Sequence, residues 1–385
     1  MDETDGRDRF ISGILSREQH QTAFRQWDAL ADEVQASPFL RSGWFTAWAN
    51  AYGTSLDLLV SRSETHLSGI VPIIRTARGV RSPTNSETPY FSFLASDRSS
   101  QKELIESMMS IGSRIDLSYV DPKDDAIHVL LSIAGDRGYT VMQQPIQQSA
   151  FISTSGSWDE YLAGLDKKHR HEIRRLGRRM HAAGQVDLQI YDGTSNLDEL
   201  LAQGMQLERS GWKSEYGTSI VDQPDALRFY TSVAHWAASM GWLRLAFLKL
   251  DGQSIAFDFC LEANRAMYPL KIGYDTNFSR LSPGFVMRSM MIQRCFEGEN
   301  ETYEFGGGTE GERNRWKLKW TSKVRQRIRI RTFAPNLLGR AEKAVIATGS
   351  SVKNAALAAA KRTLSVPARR RIHRVLGPVR RRHTR

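Results

Sequence analysis

Three strand-like runs follow one another with almost no spacing: Trp242–Leu250, Ser254–Glu262 and Ala266–Tyr274. Asp251-Gly252 joins the first two and is a hairpin signal, because both residue types accept the positive φ of a tight two-residue turn. The third run leads through Leu281-Ser282-Pro283-Gly284 into an apolar helix over Phe285–Phe296. A ribbon of three strands feeding directly into a helix leaves few options. The strands form neighbouring members of one sheet, and the helix folds back over it.

The same alternation runs through the rest of the chain. A helical pattern over Ser16–Ala36 is broken by Ser37-Pro38, and a short aromatic helix carries Trp44, Phe45 and Trp48. Strands are expected at Leu56–Ser61, Leu67–Arg75, Tyr90–Leu94, Arg114–Tyr119 and Tyr139–Gln144, with helices at Gln101–Ile111 and Asp124–Arg137. Ser157 and Glu160 have capping-box spacing and open the second half. There follow a basic helix over Lys167–Ala183, a strand at Val186–Tyr191 and helices over Ser195–Lys213 and Pro224–Met240. Thr302–Phe305 and Val324–Thr332 read as the last strands. The fold class is mixed α/β. The expected divisions are 1–150, 151–333 and a basic tail over 334–385; the first two share a rough order of elements.

Composition narrows the chemistry. The net charge of +11 suits phosphate-rich partners, among them nucleic acid, anionic lipid and coenzyme A. The two cysteines, Cys260 and Cys295, lie in apolar runs and read as buried thiols; no metal site is expected. Met1–Arg9 is charged, and no uncharged apolar run reaches the roughly 18 residues of a membrane span. The expected setting is cytoplasmic. His169, His171 and His181 sit among the basic residues of Lys167–Ala183 and read as surface positions. That helix serves either an anionic acceptor or as a linker between halves.

The turn before Phe285 is where a ligand fits. A helix N-terminus offers unpaired N–H groups and the positive end of a dipole. Gly284 allows close backbone approach, and Arg280 lies four residues earlier. A pyrophosphate-bearing cofactor is a physically sensible guest; an ordinary turn is the alternative.

These residues carry a family resemblance. MYPLKIGYDTNFSRLSPGFVMRSMMI, Met267–Ile292, resembles the central signature of the GNAT acetyltransferases termed BioF-like or CelD-like. EFGGGTEGERNRWKLKW, Glu304–Trp320, resembles the family's acidic-apolar-glycine segment and its aromatic-Lys-x-x-Trp ending. SPFLRSGWFTAW, Ser37–Trp48, and the basic stretch Tyr161–Met180 resemble its opening and its linker helix. The strict Arg/Gln-x-x-Gly-x-Gly/Ala loop is replaced by Arg280-x-x-x-Gly284. The resemblance covers most of residues 16–332 and implies two GNAT-like domains side by side, as in FemAB-type transferases. It implies an acetyl-CoA or other acyl-CoA donor where strands splay apart, with Arg280, Ser282, Gly284, Phe285 and Val286 on its pyrophosphate side.

Acyl transfer needs a base and a group that stabilises negative charge. Base candidates are Asp258, a carboxylate among Ala256, Phe257, Phe259 and Cys260; Asp275, which ends the key strand; and Glu304, at the family's acidic position. A carboxylate in such a run is costly unless paired or used. Asp258 alternatively faces solvent or an internal partner, Asp275 alternatively caps the next turn, and Glu304 alternatively faces solvent. Lys317 matches the motif lysine and could stabilise the developing charge, with Trp316 and Trp320 as walls and Gly306 and Gly307 near the acceptor. The alternative is a basic helix face with both tryptophans in the core. The leading expectation is transfer to an amine or hydroxyl of a small molecule, of a sugar or of a cell-envelope precursor. A FemAB-type transferase using aminoacyl-tRNA, and a catalytically silent module binding polyanion or membrane, are the alternatives. The tail is expected to meet anionic membrane or nucleic acid.

Overall fold

The computed structural model describes residues 13–14, 20–63, 66–210, 219–309 and 314–348. Among them thirteen strands form one mixed sheet. The first half supplies β1 (Gly13–Ile14), β2 (Asp57–Ser63), β3 (His66–Thr76), β4 (Gly79–Arg81), β5 (Leu94–Ala95), β6 (Arg114–Val120) and β7 (Thr140–Ser153). The second supplies β8 (Val186–Tyr191), β9 (Leu243–Leu250), β10 (Gln253–Ala263), β11 (Ala266–Tyr274), β12 (Thr302–Glu304) and β13 (Val324–Phe333). The helices are α1 (His20–Glu33), α2 (Ser42–Tyr52), α3 (Arg98–Ile111), α4 (Asp125–Asp136), α5 (Trp158–Gly164), α6 (Lys167–Ala183), α7 (Leu197–Ser210), α8 (Pro224–Ser239) and α9 (Pro283–Glu297), and α10 spans 337–348.

The strand order is β1-β2-β3-β4-β6-β13-β7-β12-β11-β10-β9-β8, with β5 paired to β3. β4 runs parallel to β6, and β11 parallel to β12. The two halves exchange strands. β13, last in the chain, pairs with β6 of the first half, while β7 pairs with β13 and then with β12 of the second. The boundary expected at 150 falls inside β7, and β13 closes the sheet of the half to which sequence order does not assign it.

Local chemistry accounts for the ribbon. Asp251 and Gly252 both take positive φ, 49° and 82°, so β9 and β10 meet in the expected tight turn. Asn264 and Arg265 do the same between β10 and β11, at 50° and 57°. The Asn264 amide donates to the carbonyls of Gln35 and Ala36 at 3.0 and 2.7 Å, tying that turn to the first half. Alternate residues of the ribbon enter two separate cores. Phe247, Phe257 and Phe259 join a core continuous with the first half; Ala246, Leu248, Ala256 and Cys260 join one under α6 and α9. Across the halves, Trp44 of α2 meets Phe229 of α8 edge-on at 5.0 Å. Gly43 makes that approach possible, since a Cβ there would lie 2.1 Å from the Trp236 indole.

Three expectations change. β7 runs to Ser153 and not to Gln144, because its glutamines hide the apolar alternation while β13 and β12 pair with it. The strand expected at Tyr90–Leu94 shrinks to Leu94–Ala95. His169 is not a surface residue: it is 4% exposed, on the α6 stripe with Ile173, Leu176 and Met180. Both ring nitrogens lack a hydrogen-bond partner, and burial holds its pKa below the ordinary histidine value. The ends of the helices expected at 16–19 and 211–213, and the tail beyond 348, lie outside the described residues.

Candidate active site

The site begins where β11 and β12 part. They pair only at Ala266↔Thr302 and Met267↔Tyr303. Beyond that, β11 stays with β10 as far as Tyr274, with a bulge at Leu270. The other strand follows β7: the Phe305 N–H donates to the Ala150 carbonyl at 3.0 Å and the Thr309 N–H to Gln148 at 2.8 Å. A wedge therefore opens in the sheet beside β11, and a bulge in one of its walls re-aims the side chains there.

At the far end of β11 lies the turn expected to hold a donor. Asp275 caps a 3-10 helix, Thr276–Leu281, by accepting the Asn277 N–H at 2.9 Å. Ser282 then takes left-handed φ and ψ of 55° and 52° and starts α9 without a side-chain cap. Arg280 is exposed. Gly284 faces Tyr274, and a Cβ there would stand 3.3 Å from its ring. Phe285 packs against Trp320 and His169, at 5.2 and 5.7 Å between ring centroids, and Val286 is buried.

At the near end of β11 is a cleft of about 510 Å³, lined from both halves. Tyr268, Pro269 and Leu270 form one wall; Glu304 and Gly306 lie beside them; Tyr90 and Asp121 come from the first half. Glu304 is the notable group. Its side chain is 14% exposed and accepts from Arg325 Nε at 3.0 Å. Burial nevertheless raises its pKa above the ordinary glutamate value, with Arg325 and Arg327 offsetting only part of the rise. Arg327 is committed elsewhere, to Asp121 Oδ2 at 2.8 Å and the Pro89 carbonyl at 3.1 Å. Burial, followed by the Glu304 charge, pushes the Tyr268 hydroxyl up to about 12.

Lys317 gathers with this group. It is 7% exposed, and its Nζ donates to the carbonyls of Gly306 and Gly308 at 2.5 and 3.0 Å. Gly306 and Gly307 take φ of 60° and 56°, and a Cβ on Gly306 would lie 2.8 Å from the Pro269 carbonyl oxygen. Lys317 thus clamps a left-handed loop against the strand that walls the cleft. Trp316 is 37% exposed and lies edge-on to Phe305 at 5.8 Å; Trp320 is buried with His169. Asp258 is elsewhere. It is fully buried and pairs with Arg288 at 3.2 Å, and Arg288 also donates to the Tyr303 hydroxyl.

Sequence reasoning missed Arg325, Arg327, Tyr268 and Asp121. A signal for the arginines was present: VRQRIRIRT puts Arg325, Arg327, Arg329 and Arg331 on one face of a strand. Only pairing shows that this face meets the carboxylates of both halves. No group of acidic, histidine or cysteine side chains suited to a metal occurs among the described residues.

Residues 167–318 match the family described as acetyltransferase (GNAT) domain. Solved structures resemble the larger part of the chain. FemX superposes with a TM-score of 0.57 at 13% identity, covering 79% of this chain and 95% of FemX. A conserved protein of unknown function from Bacteroides thetaiotaomicron gives 0.54 at 13%, covering 84% and 99%. The C-terminal domain of a putative lysylphosphatidylglycerol synthetase from Agrobacterium fabrum gives 0.51 at 13%, covering 85% and 96%. No curated protein matches the sequence. Residues 167–318 thus match a GNAT acetyltransferase domain, and the chain shares its fold with FemX.

Proposed function

We propose that this chain transfers an acyl group from acyl-CoA, acetyl-CoA being the simplest donor, to an amine or hydroxyl held in the cleft between its halves. The observation that carries this reading is the position of Glu304: a carboxylate of raised pKa beside the point where β11 and β12 part. The pyrophosphate would sit at Arg280, Ser282 and Gly284, with Phe285 and Val286 fixing the helix behind it. The acyl arm would enter the wedge toward Leu270. The acceptor attacks the thioester carbonyl, its proton passes to Glu304, and the tetrahedral intermediate expels the CoA thiolate. A backbone N–H on the freed edge of β11 is suited to the oxyanion. Lys317 holds the Gly306–Gly308 loop in place, and Trp316 is the exposed wall. Asp275 shapes the turn, while Asp258 and Trp320 support α9 from within. The acceptor is a sugar or cell-envelope precursor in this reading, and the donor implies a cytoplasmic setting.

A second reading keeps the same site with aminoacyl-tRNA as donor. The exposed basic residues of α6 and the net charge of +11 favour it. Melting curves separate the two. Acetyl-CoA at about a hundredfold over its Kd should stabilise the protein by roughly 2.7 kcal/mol. A shift with tRNA and none with any acyl-CoA would replace the first reading by the second, and a shift with neither would sink both.

A further inference from the structure

Helix α10 is built onto the molecule with its apolar side outward. Immediately after β13, the Ala334 N–H donates to the Ser113 carbonyl at 2.8 Å. The Asn336 side chain accepts the Gly339 N–H at 2.8 Å and so starts the helix. Gly339 is buried, and a Cβ there would meet the Ala334 carbonyl oxygen at 2.2 Å. One turn on, Glu342 is 1% exposed and pairs with Arg78 at 3.2 Å and Arg114 at 3.8 Å. Arg78 lies in the β3–β4 turn and Arg114 opens β6, so the helix is keyed to the first half by a buried carboxylate. Such a group is tolerated only with its partners in place, and it fixes orientation more than it adds stability.

The consequence lies on the opposite side. Of the six large apolar side chains exposed among the described residues, three belong to this helix: Leu337 at 84%, Leu338 at 52% and Val345 at 66%. Ala341 and Ala344 are exposed with them. At about 100° per residue these positions share an arc of roughly 120°, with Gly339 on the far side and Glu342 about 100° from the centre of the arc. Arg340 flanks the arc and is exposed, and Lys343 is exposed on the far side of the helix. Residues 349–385 follow with eleven Lys or Arg and no Asp or Glu.

We propose that α10 docks the enzyme on an anionic lipid surface. Its apolar face enters the headgroup boundary, Arg340 beside it meets the lipid phosphates, and the net charge of +11 draws the molecule to an anionic surface. An apolar stripe beside positive charge is what an interfacial helix presents, and each basic residue near such a surface adds about 1 kcal/mol. A nucleic-acid backbone would use the charge but leave the apolar stripe without a partner. A second copy would bring two like-charged segments together. Because Glu342 fixes the helix to the first half, docking would orient the whole molecule and not merely tether it. The inference is independent of the donor chosen above.

The test uses the full chain and cosedimentation with vesicles of phosphatidylglycerol and phosphatidylcholine, against vesicles of phosphatidylcholine alone. The variant is Leu337→Ser, Leu338→Ser and Val345→Ser combined. All three side chains are exposed, so its melting temperature should match that of the parent. The expected result is binding to the anionic vesicles only, weakened about tenfold or more by the triple substitution. A second variant, Glu342→Gln, loosens the key and should lower the melting temperature while the vesicles still bind. Vesicle binding unchanged by the triple substitution would overturn the proposal in favour of charge alone. Two other outcomes would also overturn it: equal binding to neutral vesicles, or a concentration-dependent dimer dispersed by the triple substitution. Loss of tRNA binding rather than vesicle binding would transfer the surface to nucleic acid.

Discussion

Asp116 and Glu304 hold the same place in the two halves: each is the third residue of the strand that enters its half's parallel pair, β6 beside β4 and β12 beside β11. Their surroundings differ. Asp116 is 8% exposed, accepts two bonds from Arg329 at 2.6 Å each and meets Arg331 at 3.4 Å. Among the described residues Glu304 meets Arg325 alone within ion-pair distance, and it borders a cleft. The strands around them differ as well. In the first half the pairing is carried on by Ser82, whose N–H donates to Asp116, and by Phe91, whose N–H donates to Tyr119. In the second half it stops after two residues. The helices repeat the contrast: α3 is capped by Asp97, α9 has no side-chain cap. The arginines of β13, the backbone N–H groups of Ser82 and Phe91 and the Asp97 cap fill in the first half the places that the second leaves open. The contrast fits the proposed function with the first half as scaffold and one donor site per chain.

The largest effect expected from this contrast is at the paired acids. Glu304→Gln should lower kcat by about 10²–10⁴-fold, the range for loss of a general base, with little change in melting temperature. Asp116→Asn should do the reverse. It leaves buried arginine charge uncompensated, at a cost of about 3 kcal/mol, and spares turnover in the protein that remains folded. Activity and melting curves on both variants check this, and exchanged phenotypes would break the comparison. The pH profile sharpens it. Glu304 must be ionised to act, and its pKa lies above the ordinary 4.5, so the acid limb of kcat/KM should lie above that value and vanish in Glu304→Gln. The linkage has the opposite sign. A carboxyl that holds its proton more tightly in the fold contributes stability fully below pH 4.5, and this is lost as pH rises through the raised value.

Next in size is donor binding. Gly284→Val places a branched side chain against Tyr274 at the turn where the pyrophosphate is proposed. Calorimetry should show one mole of donor per mole of chain for the parent and at least about tenfold weaker binding for the variant. Two moles per chain would mean that the first half binds as well.

Lys317→Ala comes third. Removing a buried ammonium from two carbonyls costs about 1.5–3 kcal/mol, and release of the Gly306 loop should lower turnover by more than that loss of stability removes folded enzyme. Lys319, exposed on the same turn, is the control. Equal, small losses from both alanines would make the lysine purely structural.

How much of this could be read from the sequence depended on range. The ribbon β9–β10–β11, the Asp251-Gly252 turn and the run into α9 were legible because their signals are local: alternation, turn chemistry, a helix start. The capping box at Ser157 and Glu160 is present as its spacing implied. Glu304 could be nominated from its motif but not ranked above Asp258, since the difference lies in partners far along the chain. Asp258 has Arg288 behind the sheet; Glu304 has Arg325 across a cleft. The exchange of β7 and β13 left no local trace, because pairing between distant strands is decided by the sheet as a whole. His169 was misplaced for a simpler reason. Seven Lys and Arg neighbours masked a one-residue-wide stripe with Ile173, Leu176 and Met180.

The smallest expected effect belongs to Asp97. Its side chain accepts the Ser100 N–H at 2.8 Å, and that bond is the leading cause of a pKa below the ordinary aspartate value. Asp97→Ala should cost about 1 kcal/mol, as loss of an N-cap does, with donor affinity and turnover unchanged. The pH dependence follows from the direction of the shift. A carboxylate held below its unfolded pKa contributes stability above that value, and the contribution disappears as pH falls through the folded pKa. The melting difference between Asp97→Ala and its parent should therefore be present at pH 7 and close as the pH falls below the ordinary aspartate value. The same variant tests the division of labour directly. It uncovers the N-terminus of α3, the one feature of a donor turn that the first half keeps covered. If the first half is a scaffold, stitched shut by Ser82 and Phe91 as well as capped, calorimetry will still count one donor. A second mole of donor in Asp97→Ala would show that a single carboxylate was all that closed the site, and that the two halves differ by far less than their strands imply.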